Sequence, residues 1–203
     1  MCTYRYFTRI LFVSFIFLAA CGKEPAPADQ ILFSDIIPDV AMVYDIEVLY
    51  PDPYQCQGDF NYAVDLDRDG TDDFEVTGST WPGHFDHVGV IWYNDHNTRV
   101  SALHDQAYIA SSMPGEMCSE TDLQAGDPIN DALEWSDEVR ISFEIIDNVI
   151  FCNWKGDYIA VKLVKDSHNY FGWIDIDGYE IPTIKEFAVN LTYDKKIRAG
   201  QKE

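Results

Sequence analysis

Beyond residue 30 the apolar side chains come in short stretches rich in Val, Ile, Tyr, Phe and Trp, each cut after a few residues by Gly, Asp, Asn or Pro. Such stretches favour extended backbone, because branched and aromatic side chains pack well on a pleated surface and the turn residues end each strand. Leu123 to Trp135 is long enough for a helical turn, but Gly126, Pro128 and Asn130 argue against one. The pattern predicts an all-β fold of about nine strands, a β-sandwich or jelly-roll-like single domain. The expected runs are Ala41 to Tyr50, Phe60 to Leu66, Asp73 to Thr77, Val88 to Tyr93, Tyr108 to Ser111, Val139 to Ile146, Tyr158 to Val164, Tyr170 to Ile176 and Thr183 to Leu191. The last three read as a meander, with a hairpin loop in the polar stretch Lys165 to Asn169 and a type I′ turn signal at Asp177-Gly178.

A chain of 203 residues holds one ordinary domain. With 14 Lys+Arg against 35 Asp+Glu its formal charge is −21, which repels nucleic acid at long range and excludes it as a partner.

The N-terminus has a different character. Residues Met1 to Arg9 carry Arg5 and Arg9 and no acid, and Ile10 to Ala20 is an apolar run of eleven residues. That is too short to span a bilayer and has the length of a signal-peptide core. Leu18-Ala19-Ala20-Cys21-Gly22 then resembles the lipobox of bacterial lipoproteins. The resemblance implies a signal peptide over 1–20, diacylglycerol on the Cys21 thiol, and a mature chain with 12 basic against 35 acidic residues, a charge of −23. Several acyl chains at about 0.8 kcal/mol per buried CH₂ make such an anchor stable. Residues 21–30, the lipidated cysteine and KEPAPADQ, read as an extended tether, leaving residues 31–203 as the β-domain. Gly22, rather than Asp, after the lipidated cysteine implies the outer membrane where the envelope has two, with the periplasmic or surface face left open.

If Cys2 leaves with the signal and Cys21 carries lipid, Cys56, Cys118 and Cys152 remain. Cys56 and Cys118 lie in turn-rich segments and are the favoured disulfide pair, whereas Cys152 sits in a strand-like run where a lone thiol behaves as a small hydrophobe. The absence of any C-x-x-C leaves a thioredoxin-type centre or a zinc ribbon unsupported.

One motif carries chemistry. Asp65-Leu66-Asp67-Arg68-Asp69-Gly70-Thr71-Asp72-Asp73 sets carboxylates at loop positions 1, 3, 5 and 9 with Gly at 6, the spacing that wraps a hard cation in oxygen ligands. Asp65, Asp67, Asp69, Asp73 and the Thr71 carbonyl are the expected calcium ligands, with Arg68 and Asp72 pointing outward. Val76 stands where an EF-hand needs its bidentate Glu, and both flanks look like strands, so the loop is not an EF-hand. It is similar to the calcium loops of secreted bacterial proteins. The competing account is an aspartate-rich turn with no metal, against which stands the mutual repulsion of converging carboxylates. Asp175 and Asp177 form a shorter echo, read as a turn.

His84, Asp86, His87, Asp95, His96 and His104 crowd one stretch, where a loop folding back could gather two imidazoles and a carboxylate around zinc; their spacing matches no zinc signature, and scattered surface histidines are the plainer account. No G-x-S-x-G, G-x-x-x-x-G-K-[ST] or H-E-x-x-H occurs, no catalytic residue is assigned, and the chain reads as a non-enzyme. Trp81, Trp92, Tyr93, Trp135, Trp154 and Trp173 offer a glycan-stacking platform or, equally, core. Trp81, in GSTWPGHFDH, is the favoured ligand-surface residue, with a lid over the core as its rival role.

Phe33-Ser34-Asp35-Ile36 with Pro38-Asp39, the Val64 to Phe74 loop, Ala125 to Ile129 before Trp135, Tyr170-Phe171-Gly172-Trp173-Ile174, and Phe187 to Asn190 with Ala199-Gly200 occur in this order. Together they resemble a group of exported bacterial β-proteins of undefined function that pair a D-x-D-x-D-G loop with a Y-G-W-I strand. The resemblance implies a calcium-stabilised β-domain and supplies no catalytic residue. Gly172 within a strand further suggests close approach of another backbone. The function expected is a calcium-stabilised binding or adhesion module of the cell envelope, facing a glycan or protein ligand. A structural lipoprotein without ligand and a glycan hydrolase are the alternatives.

Because only Cys21 is preceded by the small residues of a lipobox, Cys21→Ser should abolish incorporation of labelled fatty acid and Cys2→Ser should leave it intact. Persistent label in the Cys21 variant contradicts the anchor.

Overall fold

The structure is a computed structural model that describes residues 29–41, 45–48, 56–81, 85–86, 89–90, 95–112, 122–143, 145–146, 149–150, 157–177 and 183–203. Among them every regular element is a strand, as the punctuated sequence predicts. In chain order these are β1 (Ile31–Ala41), β2 (Asp45–Val48), β3 (Cys56–Val64), β4 (Phe74–Trp81), β5 (Phe85–Asp86), β6 (Gly89–Val90), β7 (Asp95–Ala102), β8 (Ala107–Ala110) and β9 (Pro128–Ile129). There follow β10 (Trp135–Ser136), β11 (Glu138–Phe143), β12 (Ile145–Ile146), β13 (Val149–Ile150), β14 (Tyr158–Lys165), β15 (His168–Asp177), β16 (Thr183–Asn190) and β17 (Ile197–Arg198).

Eleven of these strands build two antiparallel sheets, one of six in the order β1-β16-β15-β14-β8-β10 and one of five in the order β11-β7-β4-β3-β2. The strands β14, β15 and β16 pair in succession, as the expected meander requires. Between β14 and β15 the chain turns in two residues, Asp166 and Ser167, both in the left-handed region at φ 52° and 65°. Paired positive φ is what a tight I′-like hairpin demands, met here without glycine by two short polar side chains. The second turn signal, Asp177-Gly178, runs into residues outside those described, but Asp175 and Asp177 belong to β15. They therefore continue a strand, a correction to their reading as a turn.

The two sheets share one core. Val64, Phe74, Val76, Val100, Val139 and Ile141 from the five-stranded sheet form a single buried cluster with Ile109, Val161, Leu163, Ile174, Ile176, Ile184 and Val189 from the six-stranded sheet. The opposite face of the five-stranded sheet is polar, with Arg99 bonded to Glu138 at 3.2 Å and Arg140 beside the same carboxylate at 3.4 Å. That is the one-sided alternation expected of an antiparallel sheet with a wet face.

The six-stranded sheet is covered on both faces. On its outer side Ala160, Phe171, Trp173 and Ala188 pack with Leu123, Ile129, Ile197 and Ala199 from segments that fold over it. One of these segments spans Leu123 to Trp135, which forms β9 and a bridge from Leu123 to Tyr158 instead of a helix. Two buried faces explain why Tyr158 to Val164 reads as an almost unbroken apolar run.

At the centre of this sheet Gly172 pairs with Val161 on one side and Val189 on the other. A Cβ placed there would lie 2.5 Å from the Ala188 carbonyl oxygen and 3.2 Å from side-chain carbons of Leu66 and Val161. The backbone approach expected at this glycine is present, and the oxygen belongs to a strand that cannot yield without breaking pairing. Gly172→Ala should therefore lower stability by about 1–3 kcal/mol, the range for overpacking a closed core. Urea unfolding checks this through a lower midpoint at unchanged slope; an unshifted midpoint contradicts it.

Candidate functional site

The acidic loop joins β3 to β4, and its first and last carboxylates are placed by the strands that flank it. Asp73 precedes β4, donates its own N–H to the Val64 carbonyl at 2.8 Å, and receives the Leu103 N–H on its carbonyl at 2.9 Å. These bonds carry the Asp73 side chain inward, where it is 1 % exposed. Its Oδ2 accepts the buried Leu66 N–H at 2.8 Å, and its Oδ1 lies 3.0 Å from His104 Nε2. Burial pushes the Asp73 carboxyl above its ordinary 3.8, although the bonds from His104 and Leu66 pull the other way.

The turn between these ends is built by side chains that accept backbone donors. Asp65 takes the N–H of Asp69 at 3.1 Å and that of Gly70 at 2.8 Å, and Asp67 takes the Asp69 N–H at 3.3 Å. Asp69 in turn accepts the Thr71 N–H at 2.9 Å. Arg68 and Gly70 adopt positive φ, 60° and 92°, and at Gly70 that conformation is the reason for glycine at loop position 6. Leu66, the residue between the first two aspartates, is fully buried in the shared core.

The arrangement brings ligand oxygens of Asp65, Asp67 and Asp73 within 4.8 Å of one another. Two half-buried carboxylates and one buried one, at that separation, suit a hard cation with oxygen ligands at 2.3–2.6 Å. The other two expected ligands stand differently. Asp69 is not in this group, and Thr71 is exposed, with its N–H spent on Asp69. Asp72 is exposed, as expected. Arg68, expected to point away, instead reaches β1, where it donates to the Ser34 hydroxyl at 2.8 Å and to the Phe33 carbonyl at 3.1 Å. An exposed guanidinium at a left-handed residue beside an edge strand finds acceptors there, so the residue fastens the loop to the six-stranded sheet.

Two residues outside the motif complete the site. His104 belongs to it through Asp73, and not through the histidine-rich stretch in which the sequence places it. Of that stretch, His84 and His87 lie outside the described residues. The backbone of Asp86 lies in β5 and that of Asp95 and His96 in β7. Lys165, the last residue of β14, bonds to Asp67 and also to Asp69, the latter at 2.6 Å. Partial burial works against the Lys165 charge, but the two carboxylates outweigh it and hold the ammonium above the usual lysine range. No local signal marks Lys165, because it lies 98 residues from Asp67 in the chain.

The remaining candidates divide. Trp173 is fully buried and donates its indole N–H to the Gln201 carbonyl at 3.2 Å. The Trp135 ring has the Lys162 ammonium 4.6 Å from its centroid and Phe171 at 6.0 Å. Burial lowers the Lys162 pKa while the nearby Asp131 raises it in part. Trp81 ends β4 opposite Asp95, and its side chain is outside the described residues, as are Trp92, Tyr93 and Trp154. Cys56 opens β3, while Cys118, Cys152 and the whole of residues 1–28, Cys21 included, also lie outside them.

No protein-family model matches this chain, and neither the curated proteins nor the solved structures contain a match to it.

Asp69 supplies a pH test. The bond from Lys165, then that from the Thr71 N–H, hold its carboxyl below the ordinary 3.8. A lowered folded pKa means a contribution fully present above the unfolded value and lost as pH falls through the folded one. Asp69→Asn keeps an acceptor for Thr71 and removes only the charge. Between pH 5 and 2 the urea midpoint of the variant should fall less than that of the parent, while parallel curves contradict the ion pair.

Proposed function

We propose that this chain is a lipid-anchored protein of the bacterial cell envelope whose β-domain is stabilised by calcium and binds an extracellular or envelope ligand without turning it over. The observation that carries the cation is the convergence of Asp65, Asp67 and Asp73 at the end of two strands, one of the three carboxylates being buried. The chemistry of the set fits a hard divalent ion: its donors are all carboxylate oxygens, and among the described residues the imidazole beside it, His104, bonds to Asp73 as a partner that orients it. Asp65, Asp67 and Asp73 would hold the ion, which would offset most of their charge and tie the ends of β3 and β4 together. The signal-like run ending in Leu18-Ala19-Ala20-Cys21 supports the lipid anchor at Cys21, Gly22 after it supports an outer-membrane address, and residues 22–30 then hold the domain off the bilayer.

A ligand surface at the loops fits the scaffold, since strands hold loops rigidly and variation there changes what is bound. Trp81 and the loop that follows it remain the proposed contact for a glycan or protein. A purely structural envelope role is the second reading, favoured by the state of Trp173 and Trp135: one is buried and the other is covered by Lys162 and Phe171, so neither offers a free stacking face.

A ligand that binds only the folded state stabilises it by RT ln(1 + [L]/Kd), about 1.4 kcal/mol at tenfold excess. For single extracellular loops, with Kd of about 10⁻⁴ to 10⁻³ M, millimolar calcium should raise the melting temperature by about 1–6 °C for a domain of this size, the upper end corresponding to the tighter Kd. Asp67→Ala should abolish the rise and Asp72→Ala, whose side chain is exposed, should keep it. Identical melting curves in calcium and in chelator contradict the calcium reading.

A further inference from the structure

The same aspartate that would ligate a cation already holds a positive charge from the other sheet. Asp67 belongs to the converging trio, and its Oδ2 accepts the Lys165 ammonium, which also bonds to Asp69 at 2.6 Å. Lys165 is placed there by the hairpin that it ends: it pairs with His168 across the two-residue turn Asp166-Ser167, so the origin of its side chain is fixed by the strand pair. The side chain itself is 32 % exposed, leaving it an open path into solvent. A divalent ion seated among Asp65, Asp67 and Asp73, and an ammonium bonded to Asp67, would stand a few ångströms apart. Like charges at that spacing repel strongly where water is partly excluded.

We propose that Lys165 is a tethered counter-ion that occupies the acidic loop when no metal is bound, and that a divalent cation binds only by displacing it. This rests on the reading of Asp65, Asp67 and Asp73 as a cation site. Two consequences follow from the placement of the residues. The domain folds without the cation, because the ammonium already offsets part of the charge of Asp67 and Asp69 and joins the β14–β15 hairpin to the β3–β4 loop. Cation binding then exchanges a clamp between the two sheets for one confined to the β3–β4 loop, freeing the hairpin tip at Asp166-Ser167.

Calorimetric titration of the full chain with CaCl₂ tests this. Lys165→Met should bind calcium at least about tenfold more tightly than the parent, about 1.4 kcal/mol. In chelator it should melt at a lower temperature. Equal calcium affinity in parent and variant overturns the exchange while leaving the cation site in place; no calcium uptake by either overturns the cation site and the exchange with it. A measurement on the parent alone covers the case of a variant that fails to fold. Acetylation of lysines by a limiting active ester, mapped by mass spectrometry, should increase several-fold at Lys165 when calcium is added and stay constant at the exposed Lys195. Unchanged labelling of Lys165 under calcium-saturated conditions overturns the exchange.

Discussion

A buried carboxylate must be surrounded by donors or be neutral, and at Asp73 that requirement organises one end of the molecule. Its side chain holds the Leu66 N–H and faces His104, while its backbone bonds to Val64 on one side and Leu103 on the other. With the Leu66 amide fixed, the Leu66 side chain points into the core shared by the two sheets, against the strand position that only Gly172 can occupy. The acidic loop is thereby a structural plug as much as a candidate cation site. Loss of the Asp73 carboxylate would orphan a buried amide and release the plug together, which is why the first and last residues of the motif matter to the fold and the middle ones to charge.

The loop also joins elements that are remote in the chain. Arg68 reaches Ser34 and Phe33 on β1, and Lys165 reaches Asp67 and Asp69 from the β14–β15 hairpin. Arg68 leaves the loop for β1 and Lys165 enters it from the hairpin, so both bonds fasten the β3–β4 connection to the six-stranded sheet. An excess of acid this large weakens a compact state by self-repulsion. Placing scarce basic side chains where carboxylates crowd offsets some of that cost locally.

Much of this was legible in the sequence, and the reasons differ by element. The β14 to β16 meander was legible because buried strands cannot hide their Val, Ile and Phe content, and the acidic loop was legible because oxygen spacing and Gly70 are local properties. The strand β7 escaped, since Asp95, His96, Asn97 and Arg99 mask an inward alternation of Thr98 and Val100, and a buried Thr is not counted as apolar. The strand β1 escaped for another reason: it is an edge, with a register shift between Asp35 and Val40 around Pro38 and an exposed Ile37, features that protect an edge and erase its periodicity. Lys165 and the true partner of His104 were invisible because both depend on contacts between distant segments. Asp69 shows the same limit in reverse: its spacing matches that of a ligand, yet the fold supplies it with an ammonium from another strand.

The central claim is that the Asp73 carboxylate locks Leu66 into the common core, and native-state hydrogen exchange at the Leu66 amide measures that lock directly. The Leu66 proton should exchange only with the slowest core amides, through global unfolding, and Asp73→Ala, which removes its acceptor, should move it to a lower free energy of opening than its neighbours in β4. Exchange of the Leu66 amide in the parent protein at the rate of the exposed loop residues Thr71 and Asp72 would contradict it.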